Sequence, residues 1–121
     1  MPDTQMTLKL IYRANIFVVD RTHPALQMGR GDSNGIVVVS LFASRVHARV
    51  EARHEKFVLV DLSSNGTFVL PDGKADVQLE EIRLRQDEEL VLSGRGWFGM
   101  GRSATKHGDH SVRYMLEAET T

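Results

Sequence analysis

Three short segments carry the side chains best suited to chemistry: Gly29-Arg30, Ser44-Arg45-Val46-His47 and Ser63-Ser64-Asn65-Gly66. A guanidinium presents planar, paired donors that fit a phosphate, and a hydrogen bond to a charged group contributes roughly 1.5–3 kcal/mol. A phosphorylated side chain brings about −1.5 to −2 charges and three strong acceptor oxygens. Serine hydroxyls and loop amides can complete the shell around it. Asparagine offers both a donor and an acceptor, as a peptide backbone requires of a partner. The loops around Arg30, Ser44 and Asn65 could therefore act together as walls of one anion-and-peptide site.

Other chemistries compete for the same residues. Asn65-Gly66-Thr67 spells an acceptor triplet for N-linked sugar, and Arg30-Gly31-Asp32 a tripeptide associated with cell adhesion. Both need export. The first twenty residues show no basic start followed by an apolar run, since Lys9 and Arg13 interrupt the apolar stretches. The chain has no cysteine, so the expectation is a reducing, cytoplasmic compartment. A net charge of −1 argues against nucleic acid or an acidic membrane as partner. No apolar run is long enough to span a bilayer. Ser44 and His47 invite a hydrolase reading, but no nucleophile-elbow pattern is present. His47 reads as structural. Gly94 to Gly99, "GRGWFG", fits the letters of a dinucleotide fingerprint. It lacks the helix and the later acidic residue such a loop needs, and reads as a strand close to other backbone. His107 and His110 in "KHGDH" read as a solvated loop, so neither metal nor cofactor is expected.

The elements that must position these loops are strands. "LKLIY", "NIFVVD", "TFVL", "DVQL", "IRLR", "EELVL", "RGWFGM" and "VRYMLEA" are short and rich in branched and aromatic residues. "GIVVVSL" is a continuous apolar run, the pattern of a strand covered on both faces. "RVHARVEAR" alternates. Val46, Ala48, Val50 and Ala52 fall on one face, and Arg45, His47, Arg49, Glu51 and Arg53 on the other. "HEKFVLVD" follows a short turn at His54-Glu55, which predicts a hairpin. Pro71-Asp72-Gly73 marks another turn. No segment sustains a helical period; "LEEIRLRQDEEL" comes nearest and fits poorly. At 121 residues, without repeats or linkers, the chain reads as one all-β domain, a sandwich or barrel.

The ordered trio Gly29-Arg30, Ser44-x-x-His47 and Asn65-Gly66, with Asn65 eighteen positions after His47, resembles the forkhead-associated (FHA) family. The likeness covers about residues 7 to 101. It implies an all-β sandwich of about eleven strands with its ligand loops at one end, a core of about 7–118, and one domain over 1–121. It also implies a phosphothreonine-peptide-binding signalling adaptor without catalysis. Its partner would be a threonine-phosphorylated protein; the sequence leaves the oligomeric state open, with a monomer favoured. In the resemblance Arg30 and Ser44 match phosphate contacts, and Arg45 a further polar contact. Asn65 matches the residue that bonds the peptide backbone, with Ser64 beside it. Gly29, His47 and Gly66 match residues that hold the loops in shape. The late half departs from the family pattern. "LRQDEELVLSGRGWFGMG" resembles the variants attached to bacterial class III nucleotide cyclases, which makes phosphate-independent docking or self-association the alternative reading. From another class, a small nucleotide-binding or hydrolytic enzyme would use the glycine-rich loops.

Overall fold

Alternating apolar residues build the first pairings of this computed structural model, which describes residues 4–72 and 80–120. Strand β1 (Thr4–Tyr12) turns through Arg13 and Ala14 into β2 (Asn15–Val19). Leu8 and Leu10 point inward and are fully buried. Strand β3 (Ala25–Gly29) is followed by β4 (Ile36–Val37), β5 (Ala48–Arg53) and β6 (Lys56–Asp61). The β5–β6 hairpin predicted from the alternation is present. Its two turn residues, His54 and Glu55, both sit at positive φ, 48° and 69°, the twist that lets a two-residue loop join right-twisted strands. Then come β7 (Thr67–Pro71), β8 (Ile82–Leu84), β9 (Glu89–Val91), β10 (Arg95–Met100), a one-turn helix α1 (Ala104–His107), a 3-10 turn at Gly108–His110, and β11 (Val112–Thr120).

Eleven strands among the described residues form two sheets. One runs β2-β1-β11-β10-β7-β8 and the other β4-β3-β5-β6-β9. The inner faces share one core, with Leu8, Leu10, Val50, Leu59, Phe98 and Tyr114 among its fully buried members. Each such side chain contributes roughly 1.5–3 kcal/mol by leaving water. Phe98 and Tyr114 stack with centroids 4.7 Å apart.

Two expectations need correction, and one strand was not foreseen. "GIVVVSL" is not one covered strand: only Ile36–Val37 pairs, Val38 is buried, and Leu41 is 90% exposed on a loop. Its apolar residues split between anchoring that loop and facing outward. "RVHARVEAR" begins as a strand only at Ala48, and His47 is fully buried rather than on the polar face. Ala25–Gly29 carries no strong strand pattern, yet it forms β3, paired with β4 and β5. "DVQL", Gly73 of the Pro-Asp-Gly turn and the first residue of "LEEIRLRQDEEL" lie outside the described residues. "GRGWFG" is the strand at close quarters that was expected: a Cβ on Gly96 would lie 2.5 Å from the Leu70 carbonyl oxygen.

Candidate functional site

The chain leaves β3 at Gly29, where it runs against the segment that leads into β5. A Cβ at Gly29 would lie 2.4 Å from the Arg45 carbonyl oxygen, so only glycine allows this approach. The Arg30 amide donates to the Ser44 carbonyl (2.9 Å) and the Gly31 amide to that of Arg45 (3.0 Å). Buried Asn34 donates to the Gly31 and Arg45 carbonyls (2.7 and 2.8 Å), and its own carbonyl accepts from Gln27 (3.0 Å). These bonds bring Arg30 and Arg45 to the rim of one cleft of about 470 Å³, lined by Arg30, Gly31, Asp32, Ser33, Arg45 and Val46. Both arginine residues are exposed, and among the described residues neither forms an ion pair. The Arg30 Nε donates to the Ala43 carbonyl (3.2 Å), which leaves the rest of its fork free to meet a ligand.

Ser44, Ser64 and Asn65 are not part of that lining; Ser44 lies in the segment leading into β5, and Ser64 and Asn65 in the adjoining turn between β6 and β7. The Ser44 hydroxyl accepts from the Ser64 amide (3.2 Å), which joins the two loops. The turn itself is built on buried Asp61. Its Oδ1 accepts from the Ser63 hydroxyl (2.6 Å) and the Thr67 hydroxyl (2.7 Å), while the Ser63 oxygen accepts from the Gly66 amide (2.8 Å). Gly66 takes φ +94°, a conformation that disfavours side chains. Asn65 is thereby displayed outward, and its carbonyl accepts from Arg83 (3.1 Å), whose guanidinium lies over Phe68.

His47 ties the segments together. Its backbone amide donates to Met28 and its carbonyl accepts from Leu62, both at 2.8 Å. Its Nδ1 accepts from the Ser44 amide (2.9 Å), so the ring proton sits on Nε2 and is donated to the Gly66 carbonyl (2.9 Å). Burial holds the imidazole below its usual range, partly opposed by the Gly66 bond and by Asp61. Both ring nitrogens are occupied, so His47 has no lone pair to serve the Ser44 hydroxyl as a base.

A fourth segment, which the sequence did not mark, closes the end. Gly101, at φ +82°, donates its amide to the Gly66 carbonyl (2.9 Å), and a Cβ there would fall 1.9 Å from the Phe42 carbonyl oxygen. Arg102 lies over the Phe42 ring at 4.5 Å. Asp61, Asn34 and Gly101 were all missed; only the glycine and the Asp-x-Ser spacing offered any signal. His110 is engaged by the Tyr12 hydroxyl (2.9 Å), and the side chain of His107 lies outside those described. Among the described residues no cluster of three or more His, Cys, Asp or Glu could hold a metal ion. No helix among them is long and apolar enough to cross a membrane. A second cleft, of about 450 Å³ beside Trp97 and Arg113, shares none of these residues.

The model of the FHA domain family matches residues 26–93. The match is to the family as a whole, not to its cyclase-attached variant. Among solved structures, FHA-1 of Rv1747 from Mycobacterium tuberculosis superposes with a TM-score of 0.66 at 13% identity, over 93% of this chain and 97% of its own. The MEK1 FHA domain in complex with a HOP1 phosphothreonine peptide gives 0.63 at 16% identity, over 90% and 93%. EmbR of Mycobacterium tuberculosis, in complex with a low-affinity phosphopeptide, gives 0.66 at 23% identity, over 97% of this chain and 26% of its own. At such identities the likeness is one of fold. No curated protein matches the chain in sequence.

Proposed function

Because the chain belongs to the FHA domain family, we propose that it is an adaptor that binds threonine-phosphorylated peptides and catalyses nothing. Arg30, Ser44 and Arg45 hold the phosphate, and Ser64 and Asn65 hold the peptide backbone. One observation carries this reading: two arginine side chains with no carboxylate partner among the described residues share one cleft beside an outward-facing Ser64-Asn65 turn. Solved relatives of the same fold hold phosphopeptides. Gly29, His47 and Gly66 maintain the loops through the close approaches and bonds described above.

Calorimetry across pH tests the reading, with a phosphothreonine peptide selected from a degenerate library and its glutamate and unphosphorylated versions. The phosphate's second pKa is about 6. Two arginine side chains, charged throughout, prefer the dianion. Affinity for the phosphopeptide is therefore expected to fall progressively from about pH 7.5 to pH 5. His47 does not mask the upper part of this trend, because burial holds its protonation below the usual range. Glutamate, with a pKa near 4.3, stays mostly ionised over that window and should bind weakly with little pH dependence. Equal affinity for all three peptides at pH 7.5 would reject phosphate reading and favour phosphate-independent docking.

Asp32 shares the cleft and repels a bound dianion. Asp32→Asn is expected to tighten phosphopeptide binding about two- to fivefold, more at low salt than at high. Calorimetry at two ionic strengths measures this. Weaker binding in the variant would mean that Asp32 positions a donor for the ligand.

A further inference from the structure

We propose that two copies of this chain pair through β2, antiparallel about Phe17, to form a two-fold dimer with one continuous sheet. Sheet edges offer unpaired amides and carbonyls to any extended chain, and proteins blunt them with short strands, charges or proline. Among the described residues, three of the four edges are blunted. Strand β4 has two residues, β8 has three with Arg83 at its centre, and β9 has three including Glu89, held by Arg53 at 2.9 Å. The fourth, β2, is five residues long, Asn-Ile-Phe-Val-Val, with no charge and no proline.

The strand is complementary to itself. In an antiparallel pair, bonded and non-bonded positions alternate. Starting from Tyr12 and Asn15, which close the two-residue turn, the bonded partners of β1 are Asn15, Phe17 and Val19. The amides and carbonyls of Ile16 and Val18 therefore face the open edge. A second β2 centred on Phe17 sets Ile16 of one copy opposite Val18 of the other, twice, so that every outward group meets a partner. The same pairing covers the two most solvent-exposed apolar side chains of the strand, Ile16 at 64% and Val18 at 42%. Phe17, half-buried against the core, meets its own copy on the inner face. An interface between identical strands related by a two-fold axis must be self-complementary in this way. The dimer is a weak one, because five residues cover less than a standard interface. The dimer would carry two peptide sites, so a doubly phosphorylated partner would gain avidity. The pairing itself does not depend on the phosphopeptide reading.

Sedimentation equilibrium of the 121-residue chain tests this over about 10 to 500 µM, the range for a small interface. A concentration-dependent monomer–dimer equilibrium is expected. Val18→Lys should raise its dissociation constant at least about tenfold, with melting and phosphopeptide affinity unchanged. Should that variant fold poorly, hydrogen exchange on the unaltered chain decides: protection of the Ile16 and Val18 amides should rise with concentration. A chain that stays monomeric at the top concentration, a variant that dimerises like the parent, or protection independent of concentration would overturn the proposal.

Discussion

Arg30→Ala is expected to weaken phosphothreonine-peptide binding at least about tenfold while leaving thermal unfolding nearly unchanged. The side chain is exposed, and among the described residues its guanidinium makes one hydrogen bond, from Nε to the Ala43 carbonyl. Backbone bonds of the loop do not depend on it, because Arg30 reaches Ser44 through its amide. Truncation therefore removes little folding free energy. A phosphate loses a planar, doubly donating cation, and one interaction of roughly 1.5–3 kcal/mol corresponds to about a 10- to 150-fold change in affinity. Arg30→Lys keeps the charge but loses the fork, so it should fall between the two. Calorimetry on both variants, beside thermal melts, measures the effect. Normal affinity in Arg30→Ala would remove the residue from the site, and unfolding would make it structural.

Local pattern revealed part of this molecule and long-range contact hid the rest. The β5–β6 hairpin was legible because Val50 and Ala52 alternate with Arg49, Glu51 and Arg53. Its partner β3 was not. "ALQMG" has little β-branched content and is a strand because Leu26 and Met28 pack on the core between β4 and β5. The apolar run 35–41 misled for the opposite reason, since a branched run reads as strand even where its carbonyls and amides turn away to loops. The candidate site was legible as residue types in order, and the structure brings Arg30, Ser44, Arg45, Ser64 and Asn65 to one end of the sandwich. The framework was not. Asn34 bridges eleven residues to Arg45, and the Gly66 carbonyl takes amides or ring protons from Gly101 and His47. Such bonds leave no periodic trace. Gly101 is a glycine because of the Phe42 backbone, far away in sequence.

His47→Ala should lower folding stability by about 2–4 kcal/mol, because it leaves the part-buried Ser44 amide and the buried Gly66 carbonyl short of a bond. Gly66 keeps its bond from Gly101, which limits the cost there, whereas among the described residues the Ser44 amide has no other acceptor. A melting point lower by on the order of 10 °C follows for a domain of this size. The loss should also depend on pH. In the unfolded chain an imidazole titrates near 6.5, whereas burial holds the folded His47 below its ordinary range. Above pH 6.5 both states are neutral and the ring's contribution is constant. Below it the unfolded chain binds a proton that the folded chain refuses, so stability falls as pH falls, with a limit of about 1.4 kcal/mol per pH unit. Protonation would set an N–H at Nδ1 against the Ser44 amide, two donors facing each other. The alanine variant lacks this component, so the stability gap between the two proteins should narrow from pH 7.5 to 5.5. Urea unfolding of both at the two pH values measures the gap. A constant gap would mean that the folded ring takes up its proton normally. Unchanged melting with abolished peptide binding would mean that His47 meets the ligand directly, and a brace would no longer describe it.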